Sequence, residues 1–510
     1  MKTKRCGKGG QFKKIYLIAP RHPENFWSMQ GTVDLFGART LMPNAALATL
    51  MALTPDDVCV EYSLCDENTG GRIHFHYKCD LVVVTGSTLH QKRIREICGR
   101  FRVAGVKVAL GGTHASLNPD LCESLADHLF IGEAEYTWPE FLHDWTSGHA
   151  RPVYEQKKYI AMRDSPAPDW SLIDPGDYLN MNVQTSRGCP NRCDFCDVIQ
   201  YVGREYRTKS VEQILAEVIN AHKLGARTVF FSDDNFLGNK KFTERLLAEL
   251  IAWNICQKRP LSFSTQITVE VADDEELLRM FADARFTVLF LGVETVRKES
   301  LAEVNKQHNL KYDIYERMRR ISRFGIVPFI GLIVGFDHDD ETVFADLYGF
   351  IDSTNSPIAG ISLLNAPRNT PLYTRLEKEK RIIGDDFSGE WQLGSNIVPK
   401  NMSRETLADN YRNLFRKLYD PEGFSKRCDK WLRGIEYFPA IYTNKKSDPK
   451  QIAHIFRVIY FLSFEAGPVM RSVFLKNIIR TYRFNPLLMK KVFTLLGQYR
   501  HFYDFAMKGN

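Results

Sequence analysis

Three cysteines stand within eight residues, in Ser186-Arg-Gly-Cys189-Pro-Asn-Arg-Cys193-Asp-Phe-Cys196, while the other eight of the chain's eleven are scattered. A compact loop can wrap three thiolates round one cuboidal iron–sulfur cluster, because such clusters are held by cysteine sulfur. Three protein ligands on four irons leave one iron open, and an open metal position is what a catalytic centre needs. A zinc site is the competing reading. It would call for a fourth Cys or His close by, and His222 and Cys256, the nearest in sequence, have no ligand-like spacing.

Further candidate residues follow short apolar runs. Ser232-Asp233-Asp234-Asn235 comes after Arg227–Phe231, Gly292-Val-Glu294-Thr after Thr287–Leu291, and Gly331-Leu-Ile-Val-Gly335 lies within a fifth run. Each also fits a plainer role, since an acidic run after a strand is often a helix cap and paired glycines often serve close packing. Nearer the N-terminus, Thr85-Gly-Ser87-Thr-Leu89 and Leu110-Gly111-Gly112-Thr-His114 put small residues at strand ends. In an open α/β sheet such positions build a crevice for a phosphate-bearing ligand, although ordinary turn chemistry accounts for glycine there too. Cys59, Cys65, Cys79, Cys98 and Cys122 show no Cys-x2-Cys spacing. That argues against a second cluster, and most of them read as core thiols.

The elements that must position these residues fall into three regions. The 510-residue chain is 44% hydrophobic and 25% charged, globular in composition and too long for one core. In residues 1–145, apolar runs at Lys14–Ala19, Val58–Ser63, Leu81–Thr85 and Val106–Leu110 alternate with helical stretches such as Gln91–Ala104. That pattern predicts a doubly wound, Rossmann-like parallel sheet covered on both faces. Residues 146–178, with Pro152, Pro166, Pro168 and Pro175, read as a connector. From 179 to 375 six strands are predicted, at Leu179–Thr185, Arg227–Ser232, Leu261–Ile267, Thr287–Leu291, Val327–Val334 and Gly360–Leu364. Helices fall between them, at Ser210–Leu224, Asn239–Trp253 and Asp273–Ala284. This is a partial (β/α)6 barrel, smaller than the eightfold barrel of about 250 residues, and its active site belongs at the C-terminal strand ends. Residues 376–510 are predicted mostly α-helical, with helices at Ser403–Leu418, Gln451–Glu465, Pro468–Tyr482 and Asn485–Met507.

Cys-x3-Cys-x2-Cys, after a strand that opens a (β/α)6 barrel, resembles the radical S-adenosylmethionine (SAM) superfamily. The resemblance implies a 4Fe–4S cluster on Cys189, Cys193 and Cys196, with SAM chelated by the open iron and cleaved to a 5′-deoxyadenosyl radical. It also implies SAM contacts at Phe195, Ser232, at Asp233 or Asp234, at Glu294, and at Gly331 and Gly335 near the adenine. The N-terminal region, with Ser87, Leu89, Gly111 and Gly112, is similar to the cobalamin-binding domain ahead of many radical SAM methylases. Its Asp-x-His-x-x-Gly signature is absent, and Asp66-Glu67-Asn68 takes the place read as corresponding to it. With Val229–Asn239, Leu291–Thr295 and the Pro367–Leu372 stretch, the chain looks like the group that includes the hopanoid C-2 methylase.

What this implies is a cobalamin-dependent methyltransferase acting on an unactivated carbon of a small-molecule or lipid-like substrate, with flavodoxin or ferredoxin as electron donor. Radical chemistry without methyl transfer, and a non-enzymatic metal-stabilised scaffold, are the alternatives. The net charge of +7 includes no basic run before the C-terminal third, so no nucleic-acid partner is expected. The basic N-terminus lacks the apolar stretch of a secretory signal, and no window reaches about 18 uninterrupted apolar residues. The cytoplasm is the expected compartment. Phe456-Arg-Val-Ile-Tyr-Phe461, Arg480-Thr-Tyr-Arg483, Lys490-Lys-Val-Phe493 and Tyr499-Arg-His-Phe-Tyr503 mix aromatic and basic residues. Such a tail suits peripheral contact with the inner face of a membrane, and equally helices packed on the barrel with snorkelling Lys and Arg.

Overall fold

A computed structural model describes residues 2–3, 12–306, 309–310, 313–384, 394–439 and 449–508. Most of the basic opening segment therefore lies outside the described residues. The first sheet is built from β1 (Lys2–Thr3), β2 (Lys13–Ala19), β3 (Val60–Asp66), β4 (Leu81–Thr85), β5 (Lys107–Gly111), β6 (His128–Ile131) and β7 (Val153–Glu155), in the order β1-β3-β2-β4-β5-β6-β7. All pairs are parallel except β1 with β3. Alternation along β2 explains the two covered faces. Ile15, Leu17 and Ala19 pack with Leu47, Trp138 and Phe141, whereas Tyr16 and Ile18 pack with Ile94, Ile97 and Phe101. Cys65, Cys98 and Cys122 sit in the second of these cores, whereas Cys59 is disulfide-bonded rather than a core thiol.

Two strands of this sheet escape the sequence pattern. β6 is only four residues long, and β7 lies inside the stretch read as a connector, where three residues follow Pro152. The rest of that stretch is irregular. It is tied back by Thr40, whose carbonyl accepts the Leu179 N–H (3.0 Å), and by the Asp177 carbonyl, which accepts the N–H groups of Arg39 and Thr40 (2.8 and 3.1 Å).

The second sheet contains β8 (Met181–Val183), β11 (Thr228–Phe231), β12 (Ser262–Ile267), β13 (Phe286–Glu294), β14 (Val327–Val334) and β15 (Ala359–Leu363), all parallel, in sequence order. A short antiparallel pair, β9 (Ser186–Arg187) and β10 (Arg207–Thr208), stands beside it. Val229, Phe231, Leu289, Leu291, Ile330 and Ile361 point outward and are buried under the crossover helices. The residues between them face the lumen of an open barrel. Helix starts follow their caps. Ser210 and Gln213 form a reciprocal capping box, and Asn239 and Asp274 each accept an N–H in the next turn.

Beyond the barrel lie helices at Pro371–Lys378, Arg404–Leu418, Pro421–Arg433, Pro449–Tyr460, Gly467–Phe484 and Met489–Lys508. The Pro421–Arg433 helix, capped by Asp420, was not predicted. These helices close the barrel from beneath. Phe26, fully buried, meets Phe415, Tyr419, Phe502 and Phe505, and the Phe26 carbonyl bonds His501 Nε2 (2.7 Å).

Candidate active site

The β9–β10 pair frames a loop from Gly188 to Tyr206 that carries the three cysteines. Gly188 has φ +93°, and a Cβ there would lie 2.1 Å from the Glu205 carbonyl oxygen, so only glycine lets the two ends of the loop pass. Cys193 is buried; Cys189 and Cys196 are half-buried. Burial pushes all three thiols up, Cys193 to about 11 and Cys196 to about 12, and each sulfur also feels a neighbouring charge. Three desolvated sulfurs on one short loop suit a cationic iron centre that favours thiolate. Among the described residues, no three His, Cys, Asp or Glu side chains converge as for a single ion. A cuboidal cluster instead needs its ligands spread around a volume.

The acidic pair after β11 divides its work. Asp233 is 2% exposed and accepts the Thr185 N–H (2.7 Å), the Thr185 hydroxyl (2.5 Å) and the Ser186 N–H (2.8 Å), which ties the end of β11 to the start of the cysteine loop. Burial pushes its carboxyl up to about 7 while those three donors pull it down. Asp234 accepts the Gly188 N–H (3.1 Å) and is the less enclosed carboxylate of the two. Ser232 is half-buried, and its N–H bonds the Val183 carbonyl (3.0 Å).

Glu294 ends β13 at a register shift, with φ +66°, and forms a buried ion pair with Lys306. The Lys306 ammonium lies 5.9 Å from the centre of the Phe195 ring. Burial disfavours that ammonium, but Glu294 and the Cys193 and Cys196 sulfurs together hold its pKa above the usual lysine value. The Asp194 N–H bonds the Val304 carbonyl (3.0 Å), and Asn309 Nδ2 bonds the carbonyls of Gly292 and Val293 (3.1 and 3.0 Å). Sequence reasoning missed Lys306 and Asn309, which follow a helix without motif spacing.

The glycines fall differently from their sequence reading. Gly331 pairs in register with Gly292 and Gly360 across three strands. The space over Gly331 is taken by the Phe290 ring (2.9 Å from an added Cβ) and that over Gly360 by Trp27 (2.6 Å). Gly335, with φ +107°, donates its N–H to Asp339 (2.9 Å) and faces Leu364 and Leu407 rather than the lumen. Phe195 packs against the small core of Val304, Phe336 and Leu364.

In the first sheet, Gly112 has φ +93°, and a Cβ there would lie 2.6 Å from Thr85 Oγ1, so the ends of β4 and β5 close on each other. Gly111 lies against Phe130, and Ser87 and Leu89 are half-buried after β4. Ser87 bonds His90 Nδ1 (3.1 Å), and His90 Nε2 meets His22 Nδ1 (2.9 Å). The loop after the first long strand, Lys13–Ala19, carries His22, whose pKa burial lowers. Asp66, Glu67 and Asn68 follow the next strand and are engaged by Tyr178, Arg93 and His22 respectively.

Two connections turn the C-terminal strand ends of both sheets toward the same loop. Arg187 pairs with Glu133 (3.0 Å) and Glu135 (2.7 Å), and Arg207 with Glu133 (3.0 Å), all nearly buried. On the other side the Leu372 N–H bonds the Asp194 carbonyl (3.0 Å), while Asn369 Nδ2 bonds the Leu117 carbonyl (2.7 Å) and Arg368 pairs with Asp120 (3.0 Å).

The radical SAM superfamily domain matches residues 183–351, and a domain of unknown function (DUF4070) matches residues 370–509. The hopanoid C-2 methylase of Rhodopseudomonas palustris is 31% identical over 428 residues, 82% of this chain and 80% of that protein. This chain is a radical SAM enzyme. It belongs to the family of that methylase and of an uncharacterized methyltransferase of Synechocystis, 32% identical over 81% of this chain and 77% of the relative. The radical SAM methyltransferase TsrM of Kitasatospora setae, solved with cobalamin and a [4Fe-4S] cluster, shares the fold. Its TM-score is 0.63 at 15% identity, covering 91% of this enzyme and all of that chain. For a radical SAM enzyme, a cysteine loop at the C-terminal strand ends is where the cluster and SAM belong. No helix among the described residues is long and apolar enough to cross a membrane.

Proposed function

We propose that this radical SAM enzyme is a cobalamin-dependent C-methyltransferase that acts on an unactivated carbon of an apolar small molecule. The carrying observation is the convergence at Asp194. The cysteine loop is tied through Leu372 and Asn369 to the segment after β5 that begins at Gly111 and Gly112. A crevice for cobalamin at Ser87, Leu89, Gly111 and Gly112 would therefore open beside the cluster loop. The relatives named as methyltransferases support the same reading.

Once bound, the cluster with SAM supplies a carbon radical and cobalamin supplies a transferable methyl group. The chain's own residues bind and orient. Cys189, Cys193 and Cys196 hold the iron, Asp234 accepts the SAM amino group, and Glu294, held by Lys306, faces the ribose. Asp233 keeps the loop in place without touching either ligand. The small residues after β4 and β5 let the corrin approach the backbone. A small reductant such as flavodoxin or ferredoxin would deliver the electron.

Anaerobic turnover tests the proposal. Methylation yields S-adenosylhomocysteine together with 5′-deoxyadenosine; turnover that gives only 5′-deoxyadenosine points to non-methylating radical chemistry instead.

The C-terminal helices also support peripheral membrane contact. Phe456, Phe464 and Tyr482 are 64%, 71% and 67% exposed, and Arg480 and Arg483 share the Gly467–Phe484 helix with Tyr482. An exposed aromatic face beside basic residues suits an anionic lipid surface. Co-sedimentation with phosphatidylglycerol vesicles, compared for the wild type and a Phe456→Ser/Phe464→Ser/Tyr482→Ser variant, checks this. Equal recovery in the supernatant removes it.

A further inference from the structure

The barrel encloses a cavity of about 930 Å³ at the end of the lumen opposite the cysteine loop. Its wall is aromatic, with Trp27, Phe36, Phe230, Phe290, Phe329 and Phe493, and Val288 adds to it. Polar side chains reach it too, among them Ser264, Gln266 and Ser362 on the barrel strands, and Asp174, Arg227 and Lys490 bring charge to its lining. Ile455 and Val458 of the Pro449–Tyr460 helix close one side, so the C-terminal helices form part of the chamber.

We infer that this chamber binds the body of the substrate, a ring-bearing or long-chain apolar molecule that reaches it from the side of the C-terminal helices. The inference rests on the proposed methyl transfer to an apolar molecule and names where that molecule sits.

Three observations carry it. The first is register. Phe230, Phe290 and Phe329 lie two residues before Ser232, Gly292 and Gly331 on their strands and face the same lumen. Two residues of strand span about 7 Å. The chamber therefore lies one layer of side chains beneath Ser232 and the strand ends that carry Asp234 and Glu294, and a substrate filling it would present one end to that layer.

The second is size and chemistry. Ligand sites are typically clefts of about 300–1,000 Å³, mostly apolar with a few polar groups that fix orientation. This chamber has that character. Barrel interiors are otherwise packed with layered side chains, so an open lumen of this size is a departure from the fold's usual packing. The in-register glycines contribute to its shape, because Phe290 takes the space over Gly331 and Trp27 that over Gly360.

The third is continuity with the surface. Phe456 and Tyr460 are 64% and 58% exposed on the same helix whose Ile455 and Val458 wall the chamber. Molecules poorly soluble in water partition to such faces, and here the face adjoins the cavity.

The test uses the full-length protein, purified anaerobically with its cluster, and the fluorescent probe 11-(dansylamino)undecanoic acid. Saturable binding with a blue-shifted emission is expected. Ser264→Phe and Val288→Trp, each filling the chamber, should weaken binding at least tenfold while iron content and the unfolding midpoint stay near wild type. Probe binding unchanged in both variants overturns the inference. A benzophenone-bearing fatty acid gives an answer that needs no variant. Photo-crosslinks on peptides containing Phe230, Thr287 or Phe290 support it, and crosslinks confined to the Gly111–Leu117 segment or to the exposed helix faces overturn it. Probe binding needs neither cobalamin nor SAM. Loss of methyl transfer with binding intact would count against the proposed reaction alone.

Discussion

Lys306 pairs with Glu294 behind the cysteine loop, so the residue that closes β13 and the turn that holds Asp194 share one buried contact. Lys306→Met leaves the Glu294 carboxylate buried without its partner. Breaking one side of a buried pair typically costs about 3–5 kcal/mol. The unfolding midpoint should fall by several degrees, and SAM affinity should fall by more than tenfold in equilibrium dialysis against the cluster-loaded protein. Lys306→Arg should recover part of the stability and little of the binding, because the wider guanidinium changes where the carboxylate points.

Asp233 and Asp234 should separate when substituted singly. Asp233→Asn cannot accept from Thr185 and Ser186 in the same way, so the loop loses its anchor. We expect a loss of about 2 kcal/mol in denaturant unfolding, together with poor iron incorporation. Asp234→Asn keeps its neighbours and should retain full iron content while SAM binding weakens. Equal iron loss in both variants would contradict the division of roles.

The architecture was largely legible because long strands bury both faces. β2, β4, β14 and their neighbours read as continuous apolar runs, and Ser210, Asn239 and Ser403 announce helix starts. β6 and β7 were not, since four- and three-residue strands carry no period of their own. Within the site, the cysteines were legible from local spacing. Lys306, Asn309, Glu133 and Glu135 were not, because each acts through a partner 12 to 74 residues away. The surroundings of Gly335 were hidden for a related reason. A glycine on a strand gives no indication of whether its free space faces the lumen or, as here, Leu364 and Leu407.

The Arg187–Glu135 contact gives stability a direction with pH. Burial pushes the Glu135 carboxyl up, but Arg187 and Ser165 outweigh it and hold its pKa below the usual glutamate value. A group with a depressed folded pKa contributes stability above its unfolded pKa and loses it as pH falls through the folded one. The unfolding midpoint should therefore decline as pH drops below about 4.3, and Glu135→Gln should flatten that decline. Thermal melts across this range decide it. A wild-type curve already flat there would show the latch to be energetically silent.

Gly188 offers the sharpest test of the cysteine loop because the conflict is steric. A methyl group at this residue would overlap the Glu205 carbonyl at 2.1 Å, and its φ of +93° is strained for any other residue. Backbone strain of this kind costs about 1–3 kcal/mol before the overlap is counted. Gly188→Ala should open the hairpin between Arg187 and Arg207 and move Cys189 away from Cys193 and Cys196. The predicted result is a protein that remains folded by circular dichroism but binds less than half the wild-type iron after anaerobic reconstitution. Its broad absorption near the visible edge should fall in proportion. Gly225→Ala is the control, since that glycine also has positive φ (+95°) but nothing within 4 Å of an added Cβ. It should cost stability without changing iron content. If the two variants load iron equally, the geometry of the loop's first turn does not govern cluster assembly.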